Sequence, residues 1–596
     1  MGARDGGTIK RDSAALLALG PRAGRSAGLG AQAPGERRRL GLAALLLLPA
    51  AALLTLIFYI PVGIALLEGF RAEPGSSALS LRRFADLLTD PYILGLLRFT
   101  AWQAFLSALL SVVIGVPLGY LLANRTFPGK SLLASLTMVP FVMPAITVAL
   151  GFLLMYGTNG WFNATLNALF GFKVQVLHTL WAILLAHAFY NAPLVARMTQ
   201  GAWERLDPAL EESARTLGAG PLTVWRTVTL PAVLPGILSG AVLAFIYCFM
   251  SFPIVLSLGG ARYATLEVEI FTLMRVLLDY EMAAALAAVQ AAVSLLFAYV
   301  FLRMEGRVPY LFASARARRP SPVTASRLRD AWVWLLLAAL IVFFGGPLAS
   351  IVADSVRDGA GGTTLQAYQR IFTATHDFHL GAPPLRTIQN SLRFAAVAAA
   401  LALTAGVCFV YGTVRVLRKP LPFLETLSLA PVAVSSVALA YGISVAFRGP
   451  LHFIPQELRI PLVHAVLGFP FVVRAFRPVL QGVDVRLVEA ARTLGASRWR
   501  AFVDVELPMA LTGLLVAFAL SFGLSVSETS ATLMLARPHE MTMPVSVYRF
   551  LAARDFRSAS AMAVLLMAVT GGVFLLSEML SGWLRRRWQG GSVHGS

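Results

Sequence analysis

Between Leu40 and Leu67 the chain runs for 28 residues without a charged side chain, and apolar runs of comparable length recur along the whole sequence. Hydrocarbon about 30 Å thick is crossed by about 20 apolar residues of helix, because lipid offers no partner to an exposed backbone N–H or C=O. Runs of that length predict helices near 41–68, 95–122, 131–156, 178–200, 233–258 and 281–303, then near 332–354, 388–416, 424–447, 460–480, 510–533 and 560–583. The expected class is an all-α polytopic membrane protein of about 12 transmembrane helices, six plus six. Composition agrees, since 57% of the 596 residues are hydrophobic and only 13% charged, against about 25% charged in a soluble domain. The first run is also too long for the apolar segment of a cleaved signal peptide.

A net charge of +20 does not point to nucleic acid, because the basic residues do not form one stripe interleaved with aromatics. They gather at the ends of apolar runs. Arg125 and Lys130, Arg303 to Arg329, Arg415, Arg418 and Lys419, Arg474 to Arg500, and Arg585 to Arg587 all fall on one side, whereas 157–177 carries only Lys173. Residues 69–94, with Arg71, Arg82 and Arg83, are mixed. The positive-inside rule makes the basic side cytoplasmic and places both termini there. Residues 1–40, rich in Gly, Ala and Arg, read as a disordered cytoplasmic tail. The halves are then 41–303 and 332–583, joined by a basic linker at 304–331 and followed by a cytoplasmic tail at 584–596. Cys248 and Cys408 both lie inside apolar runs, so no disulfide framework or zinc site is implied.

The halves repeat one another. Glu212-Ser213-Ala214-Arg215-Thr216-Leu217-Gly218-Ala219 returns 277 positions later as Glu489-Ala490-Ala491-Arg492-Thr493-Leu494-Gly495-Ala496, in a register that holds without a gap from His187/His464 to Pro231/Pro508. Each copy predicts a helix, a turn and a second helix. Asp207 and Asp484 suit the N-cap, Pro208 the first helical position, and Gly218 and Gly495 a C-terminus that needs positive φ. Leu210/Ala214/Leu217 and Leu487/Ala491/Leu494 form an apolar stripe at i, i+4, i+7. Pro140 and Gly151 pair with Pro431 and Gly442 at an offset of 291, and Leu97-Arg98-Phe99 recurs as Leu392-Arg393-Phe394. An even number of spans per half makes the repeats parallel.

Glu-x-Ala, a glycine six positions after the glutamate and a Val-x-Leu-Pro ending (Val228 to Pro231, Val505 to Pro508) resemble the EAA loop of permease subunits of ATP-binding-cassette importers. The loops would span about 204–231 and 481–508, with Glu212, Ala214, Gly218, Glu489, Ala490, Ala491 and Gly495 at the matching positions. Taken singly, Glu212/Arg215 and Glu489/Arg492 read as solvated ion pairs worth a few tenths of a kcal/mol. Duplication of the pattern with its glycine and proline favours the loop. The resemblance implies two copies of a cytoplasmic ABC ATPase docked on these loops and a periplasmic or lipid-anchored substrate-binding protein. It also implies a bacterial cytoplasmic (inner) membrane, and neither enzymatic activity nor a cofactor on this chain. Asn124 to Ser131 ends in Gly129-Lys130-Ser131 but lacks the leading glycine of a P-loop.

Candidate chemistry within the chain is sparse. No zinc-protease or nucleophile-elbow motif occurs. His376, Asp377 and His379 read as a solvated outside loop, an incomplete metal set. His187 and His464 read as packing or interhelical hydrogen-bonding groups. Pro140, Pro144, Pro253 and Pro431 interrupt apolar segments, as helices around a cavity or kinked by packing would. Glu528, near the end of an apolar helix, is an ionisable group at membrane depth and so a candidate for the translocation pathway, with Ser251 as its first-half counterpart. Its alternative is a surface loop acid. Trp102 to Val112, Leu185-Ala186-His187, Asn191-Ala192-Pro193 and Val255 to Gly260 resemble the fused permease of bacterial thiamine importers. Fused ferric-iron importer permeases share the architecture and give the alternative solute. An ion-coupled secondary transporter would share the repeats but has no use for a duplicated docking loop.

Overall fold

The computed structural model describes residues 34–590 apart from 71–79, 81–84, 86, 88, 138–139, 141–142, 261, 306–320, 324–330, 359–361 and 418–421. The first repeat comprises α1 (Pro34–Leu54) and α2 (Ile60–Phe70), fused through a π turn, then α3 (Pro91–Asn124), α4 (Lys130–Leu136), α5 (Ala145–Tyr156), α6 (Leu180–Arg205), α7 (Pro208–Thr216), α8 (Leu230–Phe249), α9 (Pro253–Leu258), α10 (Leu266–Thr272) and α11 (Tyr280–Glu305). The second comprises α12 (Ala331–Ser355), α13 (Pro384–Tyr411), α14 (Pro422–Leu429), α15 (Ser436–Ala446), α16 (Arg459–Gly482), α17 (Val485–Thr493), α18 (Leu507–Ser527), α19 (Ser530–Leu535), α20 (Met543–Ala552) and α21 (Phe556–Gly590).

Among the described residues ten helices are long and apolar enough to cross a membrane, or eleven if the bent pair Phe423–Val432 and Ser436–Ala446 counts as one span. The expected twelfth is α6. Its 26 residues are long enough, but His187, Asn191, Arg197, Gln200, Glu204 and Arg205 make it less apolar than the rest. Several expected spans are broken. The run 131–156 divides into α4 and α5, 233–258 breaks between Phe249 and Pro253, 424–447 bends by 96° ahead of α15, and 510–533 breaks after Ser527. Proline accounts for part of this, since Pro140, Pro144, Pro253 and Pro431 stand at or beside the breaks and cannot donate to the helical ladder.

The tails differ from the sequence reading as well. Helix α1 begins at Pro34, inside the expected disordered tail, whose residues 1–33 lie outside the described ones. Helix α21 runs to Gly590, into the expected C-terminal tail. Most of the linker also lies outside the described residues, but Ser321–Pro322 pairs in parallel with Arg125–Thr126.

Close packing shows how the repeats superpose. A Cβ on Gly115 would strike the Ala192 carbonyl and Val195, and one on Gly406 would strike Val472, so α3 packs on α6 as α13 packs on α16. These contacts set an offset of 291 along α3 and α13. The likeness of Leu97-Arg98-Phe99 to Leu392-Arg393-Phe394, at 295, is thus four residues out of register. One helical turn preserves the apolar face, which is why the two strings look alike.

The halves also exchange their first spans. Gly442 on α15 lies against the carbonyl of Pro61 on α2, and Gly151 on α5 lies against that of Pro347 on α12. Each half's first span therefore packs on the other half's third, and one buried apolar cluster draws on both repeats.

Candidate functional site

Each Glu-x-Ala segment builds the knob its residues predict. Asp207 caps α7 by accepting from the Ala209 amide at 2.9 Å, and Asp484 caps α17 by accepting from the Arg486 amide at 2.9 Å. At the other end Gly218 and Gly495 take φ of +86° and +92°. The Ala219 amide then donates to the Ala214 carbonyl, and the Ala496 amide to that of Ala491, both at 3.0 Å. With Gly218→Arg215 and Gly495→Arg492 bonds these are paired Schellman exits. A π turn follows at equivalent positions in both repeats, Trp225–Thr229 and Phe502–Glu506.

The apolar stripe on each knob is not covered by the chain. Leu217 is 88% exposed and Leu494 90%, with Leu210, Leu487, Leu222, Trp225 and Trp499 exposed around them. Glu212, Gly218, Glu489, Ala490 and Gly495 are exposed too, while Ala214 and Ala491 are half-buried. Arg215 pairs across one turn with Glu211 (3.8 Å), not with Glu212 as the spacing suggested.

Two buried acids that the sequence did not single out attach the knobs, in opposite ways. In the first half Glu211, on the knob helix, accepts from the Thr229 hydroxyl at 2.6 Å. In the second half the knob position is Val488 and the acid stands at the equivalent of Thr229. There Glu506 pairs with Arg415 at 2.7 Å and accepts from Tyr411 at 3.0 Å. Arg415 also donates to the carbonyls of Leu480 and Val483, at the C-terminus of α16.

Glu528 and Ser251 sit in the equivalent breaks of the fifth spans, at the far end of α18 and α8 from the knobs. The Glu528 carboxylate accepts from the amides of Ala531 and Thr532, both at 2.9 Å, and from the Thr532 hydroxyl at 3.0 Å, so it caps α19. His464 Nε2 lies 3.4 Å away, and this histidine is also hydrogen-bonded to Ser525 (2.8 Å) and Thr532 (2.9 Å). Its counterpart His187 is buried against Ser107 at 2.9 Å. Both histidines therefore bond between helices, as read from the sequence. Asp377 is buried, not solvated: Arg370 donates to it at 2.6 Å and the His379 amide at 2.9 Å.

Comparison with known proteins finds the same duplication. Residues 115–308 and 401–590 each match the family described as "Binding-protein-dependent transport system inner membrane component". The chain belongs to this family. This permease is 26% identical over 510 residues to the "Thiamine transport system permease protein ThiP" of Salmonella typhimurium, an alignment covering 84% of the permease and 91% of that protein. It is 27% identical over 556 residues to the protein of the same name from Brucella abortus, covering 91% and 96%. A solved bacterial ABC transporter involved in import of the acidic polysaccharide alginate aligns with 46% of the permease and 98% of its own chain, at 19% identity and a TM-score of 0.40.

Proposed function

We propose that this chain is the fused permease of an ATP-driven thiamine importer, with one docking knob per half for one subunit of an ATPase pair. The observation that carries the docking half of this reading is the uncovered apolar tip at Leu217 and Leu494. A soluble-facing leucine on a rigid, glycine-terminated helix, present twice at equivalent positions, suits a protein partner better than water. The ATPase is a separate cytoplasmic chain supplied in two copies, and a periplasmic or lipid-anchored binding protein delivers the solute. Closure of the ATPase pair pulls on both knobs and rocks the halves about a midplane region between them. The breaks at Ser251 and Glu528 border the pathway, since non-helical backbone at membrane depth is tolerated where protein or a water-lined cavity satisfies it.

Arginine and lysine at the knob side support a cytoplasmic placement of the knobs and both termini. The thiamine assignment rests on the relatives' names and on the first-half strings from Trp102 to Gly260. Reconstitution in liposomes with the ATPase and binding protein tests it: thiamine, not ferric iron, is expected to stimulate hydrolysis and to accumulate. Stimulation by iron alone would keep the coupling mechanism and overturn the solute. Gly218→Pro and Glu489→Lys are expected to leave the protein inserted and to separate ATP hydrolysis from import; normal import in both would remove the docking reading.

A further inference from the structure

Three buried acids in this permease are matched by an arginine: Glu506 by Arg415, Glu540 by Arg459 and Asp377 by Arg370. Glu267 is different. It is 1% exposed on α10, and the groups around it are neutral: Gln290 Nε2 donates to it at 3.1 Å, and the Ser435 side chain of the other half lies beside it. Ser435 is itself held in place, accepting from the Val437 and Ala438 amides at the start of α15. One and two turns along α11 from Ala287, Gln290 Oε1 and Ser294 Oγ are buried with no hydrogen-bond partner among the described residues. A small apolar-walled cavity lined by Val62, Ala65, Ala287, Ala291, Val434 and Ala438 lies between the halves along the same stretch of α11.

Glu267 and Gln290 both lie far from the turn that joins their helices. Ten positions separate Glu267 from the exposed turn at Val276 to Leu278, and ten separate Gln290 from Tyr280. At about 1.5 Å per residue both lie about 15 Å along their helices from that turn, a distance comparable to half of an apolar layer about 30 Å thick.

Pseudosymmetry supplies a control. The Leu266 amide donates to Thr100 at 3.1 Å and the Met543 amide donates to Ser391 at 2.8 Å, so α10 and α20 occupy equivalent places. At the equivalent interface Glu267, Gln290, Ser294 and Ser435 are replaced by Pro544, Met567, Gly571 and Pro144. The second interface packs without a polar group at any of these positions. Packing therefore does not require them at the first, where each unmet buried group is destabilising.

We infer that Glu267, with Gln290, Ser294 and Ser435, is the solute-contacting site of the pathway, specific for an organic cation. When the halves part between α10 and α15 the carboxylate meets water and offers one negative charge amid three neutral hydrogen-bonding groups. The solute class rests on the thiamine reading, thiamine carrying a positively charged ring.

The test uses the full complex in liposomes. Glu267→Gln, nearly isosteric, lowers thiamine import about tenfold at equal reconstituted protein, the loss of about 1.4 kcal/mol of binding, and Glu267→Asp recovers part of it. Independently, Glu267→Cys in a Cys248→Ser, Cys408→Ala background reacts with a cationic thiol reagent only while the complex turns over ATP, and thiamine slows the reaction. Wild-type import by Glu267→Gln overturns the assignment. So does a loss of import in Glu267→Gln when the Glu267→Cys variant is never labelled, which marks a structural role. If the wild type imports no thiamine, the solute reading fails, and labelling that depends on turnover still decides whether the site lies on the pathway.

Discussion

Arg415 shows how much depends on one residue. It pairs with the buried Glu506 and also closes the C-terminal carbonyls of α16, so it ties the second knob to two spans at once. Removing one partner of such a pair leaves an uncompensated charge in a dry place, at a cost of about 3–5 kcal/mol. Glu506→Gln is therefore expected to lower the thermal midpoint of the detergent-solubilised protein sharply. Glu211→Gln is expected to lower it less, because Arg215 is mostly solvated and the lost strength is that of one bond to Thr229. Equal shifts in both variants would contradict the asymmetric attachment. Glu211 and Glu506 stand at non-equivalent repeat positions and could have been noticed in the sequence. Their partners could not, since Arg415 lies 91 residues from Glu506 and nothing in the spacing joins them.

Among the elements, the knobs were the most legible. An aspartate cap, a nine-residue helix and a glycine exit are local chemistry, each step fixed by residues within one or two turns. The π turns after them were not legible, because an extra residue per turn depends on what the following span packs against. Nor were the breaks in the spans, which apolar counting passes over. Positive φ at Gly218 and Gly495, with open space where a Cβ would stand, leaves only backbone strain as the cost of a side chain. Gly218→Ala and Gly495→Ala are each expected to cost about 1–2 kcal/mol, read as faster amide exchange at Leu217 to Ala219 or Leu494 to Ala496. Unchanged exchange would show that the exit does not hold the knob. Around the break after α18, Glu528 accepts two amides and a hydroxyl. Stability should fall in the order wild type, Glu528→Gln, Glu528→Ala, because the amide oxygen keeps part of the cap and alanine none. A glutamine variant as unstable as alanine would show that the retained amide oxygen does not serve as a cap.

At the scale of the whole molecule the sequence showed the duplication but not the exchange of first spans, because periodicity reports that a helix is buried and not by whom. The exchange matters for mechanism. With α2 packed on both α15 and its own half's α11, and α12 on both α5 and its own half's α21, each first span bridges the halves and ties movement of one to the other. If, as proposed, an ATPase pair docks on the knobs, two knobs on one chain make that docking bivalent: once one subunit is engaged, its partner meets the second knob at an effective concentration of about a millimolar. Leu217→Asp and Leu494→Asp place a charge at the two most exposed large apolar side chains of the knobs. Either alone is expected to weaken co-purification of the ATPase pair by about 100-fold or more, and both together to abolish it. Because the second knob has the ionic anchor, the residual complex should dissociate faster in Leu494→Asp, where only the hydrogen-bonded first knob remains. A double variant that still co-purifies the ATPase would show that the leucine tips are not the contact, and a single variant as defective as the double would show that one knob carries all the binding.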